Sequence, residues 1–412
     1  MKEVKLGLML GNEISMPDCF EALLKKLDLK IKYGSETYTF DTERVMVEPF
    51  NIRREPRYDV VIDRVSHWHI NPREWLKKII LDGSYVVNNP WNFQSMEKHT
   101  GFCMLAKLGF KVPETWLVPQ KDQSKLLQEA LELYSKLFDL EEIADEIGYP
   151  FYMKPYNGGG WVGVKKIENA QQLLEAYDKS EDMMMHLQGS IDFEKFCRAL
   201  NIGPQVMPMH YDPDKPLHER YVIEFDYLSP KEWHEMIVLT KLVGAVFGWE
   251  YNSNEVLMKN EELFPIDFCN AVPDSSLMSL HFYFPWIIKS IIRWTTFVAV
   301  SKRKFPFDLH WQKYLDIAEK DMSYEDKLDE YEKLADKYFD TRKFSDYCEK
   351  YLGHLDEAAF EYFTSSDFDK VIVKKVVAKF PAHEHEEFIE HYRGLFRFWA
   401  KCESDQLAAL QA

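Results

Sequence analysis

The sequence predicts a mixed α/β and α+β protein with an all-helical C-terminal extension, and three features carry that prediction. Strand-like and helix-like segments alternate over roughly the first ninety residues, the pattern of a small α/β layer structure. Next comes an apolar run ending in a lysine and a glycine-rich loop, with two short apolar runs further along that each hold one carboxylate. From Lys302 onward, aromatic and leucine residues recur at helical spacing amid dense charge.

In chain order, Lys5 to Leu10 reads as a short apolar strand and Pro17 to Leu27 as a helix. Tyr58 to Val65 is a second strand leading to a helix around Arg73 to Leu81, and Ser84 to Asn88 is a third strand. Beyond Gly109 a strand at Val112 to Val118 leads into a long acidic helical span, Gln123 to Ile147. After a helix from Ala170 to Tyr177, strands begin near Met183 and continue through Cys197 to Leu200 and Val206 to Met209. The helix Pro230 to Phe247 then precedes the carboxylate-bearing runs. The helical tail includes Ser323 to Tyr351, with Leu328, Tyr331, Leu334, Tyr338 and Phe344 as its stripe, and then Asp356 to Phe363 and Phe388 to Ala400. The expected domains are 1–95, 96–301 and 302–412.

Two motifs carry the chemistry. A strand over Tyr149 to Pro155 delivers Lys154 at its end, and Gly158, Gly159 and Gly160 lead into a second strand, Val162 to Ile167. Bare backbone N–H groups of such a loop can close over polyphosphate while the ammonium neutralises it. Alone, three glycines after Lys-Pro suit a surface hairpin equally well. The second motif is a hairpin, Asn254 to Met258 and Leu263 to Asn270 about the turn Lys259 to Glu262, with Glu255 on one strand and Asp267 on the other. Carboxylates in strands that otherwise want burial cost several kcal/mol per ion unless a cation compensates. Mg²⁺, which takes one or two protein carboxylates plus phosphate oxygens, would do so, and Asn270 adds a neutral oxygen. Edge-strand carboxylates facing solvent are the alternative, more readily for Glu255 than for Asp267, which lies between Ile266 and Phe268.

Composition bounds the rest. With 412 residues, 46% hydrophobic and 29% charged, the chain suits two or three globular domains. A net charge of -17 argues against a nucleic-acid duplex as partner. No secretory or transmembrane segment is evident: the most apolar stretch, Leu280 to Val300, is broken by Pro285, Lys289 and Arg293 and reads as a buried or interfacial helix. The six cysteines, at 19, 103, 197, 269, 348 and 402, show no paired spacing and suggest free thiols in a cytoplasmic protein. His383, His385 and His391 lack metal-ligand spacing. His67 and His69, flanking Trp68, either face a substrate or sit in a solvent turn.

These motifs, in this order, resemble the ATP-grasp superfamily, the glutathione-synthetase-like ATP-binding fold. The resemblance extends to Val86 to Pro90 followed by Glu97 to Thr100, and covers about residues 1 to 300. It is strongest to a group of largely uncharacterised bacterial ATP-grasp proteins with a similar Lys-Pro-x-x-Gly-Gly-Gly-Trp loop, a segment like Tyr211 to Val222 and a strand like Ile266 to Asn270. The resemblance implies an N-terminal α/β pre-grasp domain and two α+β lobes that grip ATP. It makes Lys98 and Lys154 the nucleotide lysines, places Gln188 at the linker bordering the adenine, and gives Arg198 a phosphate contact. Where the superfamily ends Glu-x-Asn, this chain has Asp267-Phe268-Cys269-Asn270, one residue longer, and a β-bulge is expected to return Asn270 to the metal face.

The function so implied is an ATP-dependent carboxylate ligase. It would form an acylphosphate from ATP and a small carboxylate, then pass the acyl group to an amine-type or thiol nucleophile, releasing ADP and phosphate. Lys154 and Arg198 would be its catalytic residues, and Lys98, Lys154, Gly158 to Gly160 and Gln188 its nucleotide site. Glu255, Asp267 and Asn270 would hold Mg²⁺, while Asp63, Arg64 and Arg220 are candidates to orient substrates. The alternatives are a phosphotransferase of the same fold and an ATP-binding regulatory or scaffold protein. The helical tail is a candidate surface for self-association or a protein partner.

Overall fold

A computed structural model describes residues 1–93, 97–122, 138–156 and 162–411, with side chains to residue 406. The chain divides into two compact units. The first comprises Met1–Gln94, Cys197–Ser253 and Asn270–Ala412; the second comprises Ser95–Phe196 and Asn254–Cys269.

The first unit opens with β1 (Lys2–Met9), α1 (Ser15–Leu27), β2 (Ile31–Tyr33), β3 (Glu36–Arg44), β4 (Val60–Asp63), α2 (Ile70–Leu81) and β5 (Tyr85–Val87). The five strands form one sheet in the order β2-β3-β1-β4-β5, parallel except for β2. Every residue of β4 and β5 is buried, as expected of parallel strands covered on both faces. Helix α2 sets Leu76, Ile79 and Ile80 against Val61 and Val86. The α/β character and three of these strands match the sequence reading, whereas the β2–β3 hairpin is not marked by apolar residues. In β3 only Tyr38 is buried.

The second unit follows with α3 (Lys98–Lys107), β6 (Thr115–Val118), α4 (Leu140–Ile147), β7 (Phe151–Pro155), β8 (Lys165–Ile167), α5 (Ala170–Asp178) and β9 (Met185–Gly189). Its sheet is antiparallel in the order β6-β9-β7-β8. Alternation sends Phe151, Met153, Met185 and Leu187 into a core with Leu140, Ile143 and Leu173 from α4 and α5. The opposite face therefore carries Tyr152, Lys154, His186 and Gln188. Of the long helix expected over Gln123 to Ile147, α4 is the described part; residues 123–137 lie outside the described residues, as do Gly158, Gly159 and Gly160.

The chain continues with β10 (Lys195–Ile202), β11 (Gln205–Tyr211) and β12 (Tyr221–Val222), antiparallel neighbours, then α6 (Pro230–Phe247). Helix α6 begins with a capping box in which the Ser229 hydroxyl and the Glu232 carboxylate each accept a backbone N–H, and Pro230 fills the first turn. Gly248 ends it at φ 68°, where an added Cβ would lie 2.2 Å from the Asn92 amide nitrogen. Strands β13 (Tyr251–Lys259) and β14 (Glu262–Asp267) form the carboxylate hairpin.

The remaining helices are α7 (Leu277–Leu280), α8 (Phe284–Val300), α9 (Trp311–Ala318), α10 (Tyr324–Phe339), α11 (Thr341–Tyr351), α12 (Leu355–Phe363), α13 (Ser366–Lys379) and α14 (His385–Gln411). The expected all-helical extension is present, yet the boundary expected at 301/302 has no counterpart in the division into units. The extension shares the first unit's core. Buried Lys241 of α6 pairs with Glu332 (3.2 Å) and Asp336 (2.5 Å) of α10. Lys289 of α8 pairs with Asp356 (2.9 Å) and Glu403 (2.5 Å), and Trp294 packs on Phe339 and Phe344. Glu250, fully buried, accepts from Tyr85 (2.5 Å) and Trp294 (2.9 Å), with Arg303 3.7 Å away. No helix among the described residues is long and apolar enough to cross a membrane.

Candidate functional site

Five of the expected site residues, Lys98, Lys154, Gln188, Glu255 and Asp267, come together within the second unit. Lys154 sits near the end of β7 directly across from His186 on β9, and its ammonium donates to the Gln188 side-chain oxygen (2.7 Å) and the Ile266 carbonyl (3.1 Å). Gln188 in turn donates to Thr115 (2.9 Å), so its amide is fixed at both ends and acts as the tether that aims Lys154. Lys98, the first residue of α3, pairs with Asp267 at 3.2 Å. A cation at a helix N-terminus opposes the helix dipole, so its neighbouring carboxylate offsets an unfavourable placement.

The hairpin brings the two carboxylates into register. Glu255 pairs directly with Asp267, while Val256 pairs with Pro265, so Ile266 is an extra residue on β14. The bulge therefore falls before Asp267. That corrects the expectation of a bulge between Asp267 and Asn270, because β14 already ends at Asp267. Directly paired residues of an antiparallel ladder project to one side, and like charges there repel unless a cation intervenes. Lys98 supplies part of that cation.

Electrostatics distinguish the two lysines. Burial pulls the Lys154 ammonium down to about 8, Lys98 adds repulsion, and Asp267 and Glu255 oppose the fall. Burial also works against Lys98, but Asp267 outweighs it and holds that ammonium above the ordinary lysine value. The site thus joins a firmly charged lysine to one near its titration point. Each would gain from an incoming polyanion.

His186 was not anticipated. It is fully buried, neither ring nitrogen has a hydrogen-bond partner among the described residues, and burial followed by the Lys154 charge pulls it down to about 3. Its ring stacks on His99 at 5.3 Å and lies 5.5 Å from Tyr156, whose hydroxyl donates to Glu97 at 2.5 Å. The alternation of Met185-His186-Leu187-Gln188 already places His186 on the Gln188 face, which is the signal that could have found it.

Arg198, Asn270, Asp63, Arg64, Arg220 and His67 belong to the first unit. The Arg198 guanidinium lies 5.0 Å from the Tyr211 ring centre. Asn270 donates to Ser253 (2.8 Å) and accepts from the Val272 N–H (3.3 Å), holding a turn. Asp63 is likewise committed locally, accepting from the backbones of Val65 (2.9 Å) and Ser66 (3.0 Å). Arg64 donates to the distant Pro273 carbonyl and Arg220 to the nearby Lys215 carbonyl (2.9 Å), so Asp63 and Arg220 hold local turns while Arg64 ties two separate segments of the chain. His67 stacks edge-on against Trp68 and Phe93. All six cysteines are unpaired.

Among the described residues no group of three or more His, Cys, Asp and Glu side chains is disposed to hold a metal ion. A hard cation on Glu255 and Asp267 would therefore rest on two carboxylates, with ligand oxygens completing its shell, which fits Mg²⁺.

No family model and no curated protein matches the sequence. Solved structures do. The D-alanine–D-alanine ligase of Bacillus anthracis, determined in complex with ATP, matches with a TM-score of 0.50 and 11% identity, over 74% of this chain and 100% of that one. An ATP-grasp RimK domain protein from Sphaerobacter thermophilus gives 0.46 at 12% identity, covering 66% of this chain and 92% of its own. A RiPP-associated ATP-grasp ligase from Chryseobacterium gregarium, bound to ADP and a leader and core peptide, gives 0.46 at 14%, over 71% and 95%. At such identities the likeness speaks to the fold alone. From its sheets and its agreement with the Bacillus enzyme, the chain has the ATP-grasp fold.

Proposed function

We propose that the chain is an ATP-dependent carboxylate ligase, converting ATP, a small carboxylate and an amine-type or thiol nucleophile to ADP, phosphate and an amide- or thioester-linked product. The observation that carries this reading is the cluster of Lys98, Lys154, Glu255 and Asp267 within one unit. Paired carboxylates beside two half-buried lysines suit a polyphosphate with its counter-ion better than they suit a purely structural role, since a protein needing only stability gains more from apolar packing. The Bacillus neighbour is itself a ligase solved with ATP.

In this reading Lys98 and Lys154 hold the phosphates, with Gln188 and the Ile266 carbonyl keeping the Lys154 ammonium aimed. Binding a polyanion restores full charge to Lys154, whose proton is otherwise loosely held near neutral pH. Mg²⁺, on Glu255 and Asp267, would offset charge on the transferring phosphoryl group. Asn270 is a weaker candidate, because its amide oxygen already accepts a backbone N–H. Arg198 is assigned to the acylphosphate oxygens, and the Gly158 to Gly160 backbone to the phosphates. Attack of the nucleophile on the acylphosphate carbon forms the new bond and expels phosphate.

The engaged oxygen of Asn270 also favours a second reading, a protein that holds ATP with little turnover. One experiment separates the two: Mg²⁺-dependent ADP release by the purified chain, scanned against pools of amino acids and small carboxylates, with mass spectrometry of the products. A product lighter by one water than its two components is the expected result. Tight MgATP binding with no stimulation by any pool would replace the ligase with the second reading.

A further inference from the structure

The two lysines of the second unit are anchored on different kinds of partner. Lys154 donates to two neutral oxygens, the Gln188 side chain (2.7 Å) and the Ile266 carbonyl (3.1 Å). Lys98 donates to the Asp267 carboxylate at 3.2 Å, its one ion-pair partner among the described residues. A metal ion arriving at Glu255 and Asp267 leaves the bonds of Lys154 in place. It must contend with Lys98, which already holds one of the oxygens it would take.

Lys98 is a strong competitor for that carboxylate. Asp267 keeps its ammonium above the ordinary lysine value in spite of burial, so Lys98 does not step aside by losing its proton near neutral pH. An ammonium and a divalent cation on one carboxylate repel at short range, the more so where water is partly excluded. The Asp267 side chain is nevertheless 34% exposed, against 15% for Lys98, so a metal ion can reach it from solvent. Lys98 also opens α3, where the helix dipole disfavours a cation, so Asp267 rather than the helix secures the ammonium.

We propose that Lys98 is a stand-in for the metal ion: in the empty protein its ammonium occupies Asp267, and a metal-bound polyphosphate exchanges partners with it, metal to Asp267 and ammonium to phosphate. Neither half of the exchange is favourable by itself. Bare metal would displace an ammonium that then has no anion, and bare polyphosphate would draw Lys98 from a carboxylate paired with Glu255 across the ladder. Metal and polyphosphate therefore strengthen each other's binding through this chain, and the coupling is equal in both directions. The inference rests on the nucleotide and metal reading of the cluster, and not on the reaction the bound nucleotide serves.

Binding of Mn²⁺ to the full chain without nucleotide, followed by electron paramagnetic resonance, tests the exchange. Lys98→Met is expected to bind Mn²⁺ about tenfold more tightly than the wild type, while its affinity for ATP in EDTA, read by calorimetry, falls about tenfold. Adding Asp267→Asn to Lys98→Met should abolish the gain in Mn²⁺ binding. Lys98→Arg, which keeps the charge, should bind Mn²⁺ as weakly as the wild type, and Lys154→Met should gain less than Lys98→Met because its partners are neutral. Near-UV circular dichroism confirms the fold of each variant. Unchanged or weaker Mn²⁺ binding by a folded Lys98→Met, an equal gain from Lys154→Met, or undiminished ATP binding would overturn the exchange. These readouts need no turnover, so absence of ADP release with every substrate pool would end the ligase reading and leave this inference standing.

Discussion

Lys154 is where the residue-scale account is most exposed to test. Its ammonium is buried, repelled by Lys98 and held by Gln188, so it is costly in the empty protein and useful once a polyanion arrives. Lys154→Ala is expected to weaken MgATP binding by about tenfold or more, the scale of a lost charge-assisted hydrogen bond. Equal affinity in calorimetry would remove it from the nucleotide site. His186 makes a second prediction, with a sign that can be worked out. Its folded value, about 3, lies below the ordinary 6.5, so the unfolded chain takes up a proton that the folded chain refuses. The stability tied to this group is complete above 6.5 and is lost as pH falls from there toward 3. Between pH 7 and pH 5 the loss is about 2 kcal/mol. His186→Leu should remove about half of the combined fall that the two buried histidines give the urea-unfolding profile in that window, leaving a comparable share from His281, which burial pulls down to about 4. An unchanged profile would show that water or a ligand already satisfies the His186 ring. Lys98, Lys154, Glu255 and Asp267 were all legible as residue types in telling positions. His186 was overlooked because a single histidine in an apolar strand usually signifies packing, and its want of a partner is visible only in three dimensions.

Elements obey their local signals where those signals are covalent or capping in origin. Helix α6 was read from the sequence at its true bounds, because Ser229, Pro230 and Gly248 punctuate it unambiguously. Ser229→Ala is expected to cost about 1 kcal/mol. Gly248→Ala should cost more, about 2 kcal/mol or above, since it adds strain at positive φ to a collision with Asn92. Denaturant unfolding of the pair checks the order, and a larger loss for Ser229→Ala would contradict this account of the helix end. The β2–β3 hairpin escaped the sequence reading for the opposite reason. Its strands bury few side chains and are held by pairing, β3 to β1 and the edge strand β2 to β3, so no apolar pattern announces them. The bulge at Ile266 was misplaced for a related one: spacing alone shows that an extra residue exists near Asp267, while the ladder partner decides on which side it falls.

At the scale of the whole molecule, the helices after residue 302 complete the first unit's core. Sequence periodicity announced helices there but said nothing of what they cover. Truncation after Val300 would strip Lys241 and Lys289 of their carboxylates and Trp294 of Phe339 and Phe344, leaving buried ions uncompensated and one side of a large ring uncovered. The shortened chain is therefore expected to lose cooperative unfolding and near-UV circular dichroism. A shortened chain that stays folded and still turns over ATP would show that the extension is dispensable after all.

The central claim is that Lys98, Lys154, Glu255 and Asp267 form a site for a metal-bound polyphosphate. Titration calorimetry of ATP into the wild-type chain and Asp267→Asn, each with and without Mg²⁺, addresses it most directly. The account predicts ATP binding that Mg²⁺ strengthens in the wild type, and loss of the Mg²⁺ dependence in a folded Asp267→Asn. No ATP binding by the wild type, or identical Mg²⁺ dependence in the two proteins, would contradict it.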